Sequence, residues 1–302
     1  MGAVEWLLLL LLSILWGGSF FFNRIVLGEL PPMTLVLGRV GLAAIAINLL
    51  VIATGHRMPR SPRRWGAFAV TAVLNNVLPF VLIVWGQTRI TSGLAAILYA
   101  TAPVWAIVLA HLFTHDERLR PNKLAGVLFG VVGVAVLVGP TALEGLGLNA
   151  LAQIAVLGAA LSYALSGIYG RRFAGTPPLV VASGQITAAC ILVLPVTLII
   201  DQPWTLPMPH AQTWAALLGL ALLSTILGYT LYFRILATAG ATNLVLVTFL
   251  MPVTALILGT IVLGEPLEAR HLAGMALIGI GLAAIDGRLL NLLRITAQRR
   301  TR

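Results

Sequence analysis

The chain has 302 residues, 59% of them hydrophobic and 9% charged, with a formal net charge of +10. A soluble domain carries about 25% charged residues, so a fold of this length with a water-facing surface is excluded and the bilayer is the solvent for most of it. The positive charge does not mark a nucleic-acid binder, because Arg and Lys fall in short gaps between apolar runs and in the C-terminal stretch, with no basic face interleaved with aromatics.

In chain order, apolar runs long enough to span the hydrocarbon core fall at about 6–27, 32–53, 65–88, 91–113, 122–139, 149–170, 178–200, 212–237, 241–263 and 271–288. The first resembles a signal peptide, yet Met1 to Glu5 has no Lys or Arg and no small-x-small cleavage site follows, so it reads as a retained span. The splits near Gln87–Thr91 and Thr238–Thr242 are the weakest, and the gaps at Pro31–Pro32 and Pro177–Pro178 are short and rich in breakers. With the N-terminus inside and alternating crossings, 15 of the 19 basic residues lie on the cytoplasmic side, against Arg24, Arg39, Arg89 and Arg270. That places both termini in the cytoplasm. The only cysteine, Cys190, reads as a packing residue.

The two halves repeat. Trp16 to Ser19 aligns with Tyr163 to Ser166, Arg24 with Arg171, Pro32 with Pro178, Pro103 with Pro252, Glu117 with Glu265, Gly126 with Gly274 and Gly133 with Gly281. Five spans per half force the second half to cross in the opposite sense. The expected architecture is therefore an all-α polytopic membrane protein of ten transmembrane helices in two inverted-topology five-helix repeats, 1–140 and 141–288, with a basic cytoplasmic tail, 289–302. Inverted repeats are a mark of secondary transporters, with the substrate site at their interface near the midplane.

The aligned residues resemble the drug/metabolite transporter superfamily, in particular its ten-helix EamA-type members. The resemblance rests on Trp16-Gly17 with Phe20, Pro32 with Arg39, Pro103 followed by Glu117-Arg118-Leu119, and Pro252 followed by Gly264-Glu265-Pro266-Leu267. It extends to about Gly287 and is strongest toward YddG-type bacterial amino-acid exporters. It implies an export role in the bacterial inner membrane.

Polar and aromatic residues in mid-span need a partner or a cavity. Trp16, Phe20 and Asn23 share one face of the first span, with Ser19 beside them. Asn76, Pro79 and Phe80 do so in the third, beside Asn75. Tyr99 and Pro103 lie in the fourth, Ser162, Tyr163 and Ser166 in the sixth, Gln185 in the seventh, Thr225, Tyr229 and Tyr232 in the eighth, and Thr248 and Pro252 in the ninth. Two readings stay open for each: lining a substrate cavity, or hydrogen bonding between packed helices. Trp16, Ser19, Phe20, Asn76, Tyr99, Ser162, Tyr163, Ser166 and Tyr229 are the expected substrate-binding set. Pro103 and Pro252 each remove a backbone donor near a span centre, as hinges or as static kinks. Arg39 is the basic residue well inside a span; it binds a substrate carboxylate, closes an outer gate, or snorkels. Trp65, Trp85 and Trp105 read as a headgroup belt, and Gly126-x-x-x-Gly130 as a close helix contact, internal or between two copies.

Absences narrow the chemistry. All nine acidic residues lie at span ends or in loops, so no mid-span carboxylate can pair with an organic cation or carry a proton. With Lys123 the only lysine, multiply charged phosphates have little to bind. His111 and His115 have metal-compatible spacing without a Glu between them, and no mid-span His activates Ser19 or Ser166. No cofactor, metal or catalytic constellation is expected. The partners are the bilayer and a neutral or zwitterionic small molecule, with the monomer and the homodimer both open. The expected activity is alternating-access export of aromatic and other neutral amino acids; the alternatives are a broad exporter of lipophilic compounds and, more remotely, an intramembrane enzyme or receptor.

Overall fold

A computed structural model describes residues 2–113, 121–138, 148–244 and 246–286. The readings placed on His115, Glu117, Arg118, Gly287 and the basic tail lie outside these residues. Every regular element among the described residues is helical, with no strand.

The longer helices among the described residues are α1 (Ala3–Val26), α2 (Pro32–Ala53), α3 (Pro62–Gln87), α4 (Ser92–Phe113), α5 (Pro121–Val138), α6 (Leu148–Gly170), α7 (Pro178–Ile200), α8 (Ala211–Ala239), α9 (Val247–Ile261) and α10 (Ala269–Asp286). Seven of them, α1 to α4 and α6 to α8, are long and apolar enough to cross a membrane, and shorter apolar stretches, Leu124–Val136 and Leu250–Ile261, lie in α5 and α9. Pro32, Pro62 and Pro178 each start a helix, where the missing N–H would have had no partner. The backbone reverses after α8 at Gly240, with φ of 79°, a conformation that only glycine adopts without strain. Outward faces carry exposed Ile45, Leu49, Ile52, Ile191 and Ile199, as lipid contact requires.

Three helices depart from α geometry, and two of them do so at equivalent places. α3 contains a π-helical turn at Val73–Val77, and α8 contains one at Gly219–Leu227. Such turns leave carbonyls free for side chains. Ser162 donates to the Leu74 carbonyl at 2.7 Å, and Trp16 Nε1 donates to the Ser224 carbonyl at 3.1 Å. α4 breaks at Ala100–Thr101, just ahead of Pro103, and the Thr101 hydroxyl caps the broken turn on the Leu98 carbonyl at 2.7 Å. α9, in contrast, stays helical through Pro252.

Packing is reciprocal. α1 lies against α8 and α9, and α6 lies against α3 and α4; α2 meets α7 and α8, and α7 meets α2 and α3; α4 meets α9 and α5 meets α10. Exchanging α1–α5 for α6–α10 leaves this set of partners unchanged. In α5 and α10 the glycines bring the backbones into contact. A Cβ on Gly281 would lie 2.6 Å from the Gly126 oxygen, and one on Gly133 would lie 3.1 Å from the Gly274 oxygen. Residue numbers rise along one helix as they fall along the other, so the two run antiparallel. The Gly126-x-x-x-Gly130 stripe is therefore filled by α10. α2 and α7 are antiparallel as well: Thr34 meets Asp201, Gly41 stands against Cys190, and Asn48 bonds Ser183 and Thr187 at 2.9 and 2.8 Å.

Candidate functional site

A cavity of about 750 Å³ lies between the first five helices and the last five. That is ample for a molecule of amino-acid size, since small-molecule pockets run about 300–1,000 Å³. Its walls come from α1, α2, α3 and α4 on one side and α6, α7, α8 and α9 on the other.

Aromatic rings dominate the deep part. Tyr99 and Tyr163 meet edge to face with centroids 5.2 Å apart, Phe20 lies 6.0 Å from Tyr99, and Trp16 lies 5.6 Å from Tyr232. Trp16 is held by its bond to Ser224, and that carbonyl is available because of the π-turn in α8. Tyr229 is fixed by Asn75 Nδ2, which donates to its hydroxyl at 2.8 Å, and by Asn76 Nδ2 at 3.3 Å. Asn75, Gln185 and Thr225 add polar atoms to the wall.

Of the residues expected from sequence to bind substrate, the cavity wall contains Trp16, Ser19, Phe20, Tyr99, Tyr163, Ser166 and Tyr229. Asn76 and Ser162 stand behind it. Asn76 is fully buried beneath Tyr229, and Ser162 is bonded to α3. Of the expected gating residues, Arg39 lines the cavity, while Pro103 and Pro252 do not. Trp105 departs from the headgroup-belt expectation: its indole nitrogen is buried without a partner among the described residues. Trp65 bonds the Pro59 carbonyl at 2.9 Å, and Trp85 is 37% exposed. Among the described residues, no group of three or more His, Cys, Asp or Glu could hold a metal.

The two ends of the cavity differ. One leads out past Gly167, Gly170, Arg171 and Thr176, beside Leu244 and Thr248. Gly175, with φ of 81°, turns the chain at that mouth. The other end is sealed by polar groups. Gln87, fully buried, donates to the Phe20 carbonyl at 2.8 Å and accepts from Asn23 Nδ2 at 2.9 Å. Just beyond, the Glu265 carboxylate accepts from the Ser92 amide at 2.9 Å and the Ser92 hydroxyl at 2.9 Å, with Arg24 Nε 4.0 Å away. Arg24 Nη1 also donates to the Gln87 carbonyl at 2.9 Å. One network thus ties α1, α3, α4 and the α9–α10 loop together. Sequence reasoning passed over Gln87 and Ser92, because both sit where two apolar runs abut and neither stands out in mid-span. The repeat had marked Glu265, but not its target.

This geometry has relatives. The chain matches the EamA-like transporter family over residues 4–139 and again over 150–285. It is 28% identical to a probable amino-acid metabolite efflux pump of Salmonella typhimurium, over 91% of this chain and 92% of that protein. It is 26% identical to the uncharacterized transporter YvbV of Bacillus subtilis, over 93% and 90%, and 25% identical to the uncharacterized inner membrane transporter YedA of Escherichia coli K12, over 85% and 82%. A crystal structure aligns over 96% of this chain and 99% of its own, with a TM-score of 0.68 and 20% identity, a likeness of fold. With a family match over both halves and a helix-walled cavity between them, the chain belongs to the EamA-like transporter family of the drug/metabolite transporter superfamily, and is a multi-pass membrane transporter.

Proposed function

We propose that this protein exports small neutral metabolites, aromatic and other neutral amino acids foremost, by alternating access around the central cavity. In this reading ten spans form two inverted five-helix units, 1–140 and 141–288, of the bacterial inner membrane, with both termini cytoplasmic. The observation that carries it is the ring-walled cavity between exchangeable halves, with no Asp or Glu among the described residues that line it. Such walls suit apolar and aromatic side chains and offer no carboxylate to pair with a cation. The antiparallel runs of α2 against α7 and of α5 against α10 support inversion, since both pairs are equivalent helices of the two halves. The name of the Salmonella relative supports the substrate class.

The basic-residue bias puts the loop carrying Arg171 and Arg172 on the cytoplasmic side. The open mouth then faces the cytoplasm and the Gln87–Glu265 network closes the outside, an inward-open state ready to load a substrate for export. Proteoliposomes preloaded with labelled phenylalanine test the reading. Trp16→Ala and Tyr163→Ala are expected to slow efflux at least tenfold while the proteins remain folded. Wild-type efflux from both would overturn it.

A further inference from the structure

Arg39 is buried inside a membrane-spanning helix, at 8% exposure. It lies seven residues into α2, where snorkelling to water is not what the side chain does. Nε donates to the Thr225 hydroxyl at 3.1 Å, and the guanidinium carbon sits 3.8 Å over the Phe80 ring. These two contacts fix the plane of the group and use one of its five N–H donors. Among the described residues no carboxylate pairs with it, and its terminal nitrogens, on a side chain that lines the cavity, make no hydrogen bond to protein.

A buried, unpaired charge is expensive, and it is offset when an opposite charge arrives with matching geometry. The fork of two terminal nitrogens fits the two oxygens of a carboxylate. Thr225 belongs to the π-turn of α8, so the anchor is held jointly by α2, α3 and α8. Around it, Tyr229 on α8 and the Tyr99–Tyr163 pair offer ring surface to the rest of a ligand.

We propose that Arg39 is the carboxylate anchor of the cavity. The substrate class is then monocarboxylates with an apolar or aromatic body, amino acids among them, and amines lacking a carboxylate are excluded. This rests on the cavity being the transport site. A positive group in the cavity wall, with no acid among the described residues that line it, repels the second class and attracts the first.

The test uses the full-length protein in detergent, with ligand binding read by protection of Cys190 from a thiol-reactive dye during thermal unfolding. The probes are L-phenylalanine, 3-phenylpropanoate, phenylalaninamide, phenethylamine and phenyl phosphate. Phenylalanine and 3-phenylpropanoate are expected to bind at least tenfold more tightly than phenylalaninamide and phenethylamine. Arg39→Gln is expected to remove that preference and Arg39→Lys to keep part of it. Equal binding of acid and amide to the wild type overturns the anchor without any variant, and leaves the cavity reading standing. Tighter binding of phenyl phosphate than of 3-phenylpropanoate overturns the carboxylate assignment. Binding of none of the five overturns the cavity reading, and the anchor with it.

Discussion

Replacing Gln87 by Leu tests whether the sealed end of the cavity is held by the network described above. The side chains are similar in size, so the change removes polarity and leaves packing nearly intact. Two well-formed bonds are lost, Nε2 to the Phe20 carbonyl at 2.8 Å and Asn23 Nδ2 to Oε1 at 2.9 Å, with a longer contact to Ser92 at 3.3 Å. Asn23 is 1% exposed and its Oδ1 already lacks a partner among the described residues, so the whole amide becomes orphaned. Each net bond contributes about 1 kcal/mol and an orphaned buried amide costs about 1–3 kcal/mol, with part returned by burying leucine. The expected loss is about 3 kcal/mol, roughly a hundredfold in the ratio of folded to unfolded protein. Cys190, the single thiol, is half-buried, and its rate of dye labelling in detergent reports unfolding. Asn23→Ala closes a double-mutant cycle: in the Gln87→Leu background its cost should shrink, because the partner is already gone. Wild-type unfolding of Gln87→Leu, or additive costs in the double mutant, would refute the network.

Gly281→Leu should destabilise by about 1–3 kcal/mol in the Cys190 assay, because the new side chain meets α5 backbone that no rotamer can move, whereas Gly66→Ala, whose Cβ meets nothing within 4 Å, should be neutral or stabilising by about 0.5–1 kcal/mol. Glu29, in the α1–α2 loop, accepts from the His210 amide at 2.8 Å, and that bond, followed by the one to the His210 ring, holds its carboxyl below the ordinary 4.5. A depressed carboxyl stabilises the folded loop above its unfolded pKa and loses that contribution as pH falls through its folded one. Glu29→Gln should therefore flatten the acid-side decline in stability below pH 4.5, measured by Cys190 labelling, while an unchanged decline would refute the linkage.

Much of the fold was legible because a bilayer imposes one simple rule: spanning segments must be apolar and hydrogen-bonded within themselves. Among the described residues the apolar runs fall on helices, and the prolines at positions 32, 62 and 178 start three of them. The repeat was legible through small and breaker residues, since close helix contact and helix starts tolerate few side chains. Gly126, Gly133, Gly274 and Gly281 were aligned as equivalent positions in the sequence, and in the structure they meet in one antiparallel contact. Trp16, Tyr99 and Tyr163 stood out because a ring with a polar handle is costly in hydrocarbon unless something receives it.

The rest was hidden because hydropathy records the burial of a residue and not the direction in which it faces. Asn75 and Asn76 are adjacent and chemically identical, yet the π-turn between Val73 and Val77 sets Asn75 on the cavity wall and Asn76 behind Tyr229. An ideal α-helix drawn through those positions would place Asn76 on the face of Phe80 and leave Asn75 aside. The same displacement in α8 frees the carbonyl that holds Trp16 and supplies the hydroxyl that orients Arg39, so one backbone irregularity builds two parts of the site. Nothing in the composition of Gly219–Leu227 announces it. Both inserted turns are retained because their released backbone groups are bonded by side chains from facing helices, Trp16 from α1 to the turn in α8 and Ser162 from α6 to the turn in α3. A helix that must present polar atoms at mid-membrane does so where a partner helix can satisfy them, which is why both π-turns lie where the two halves of the chain meet.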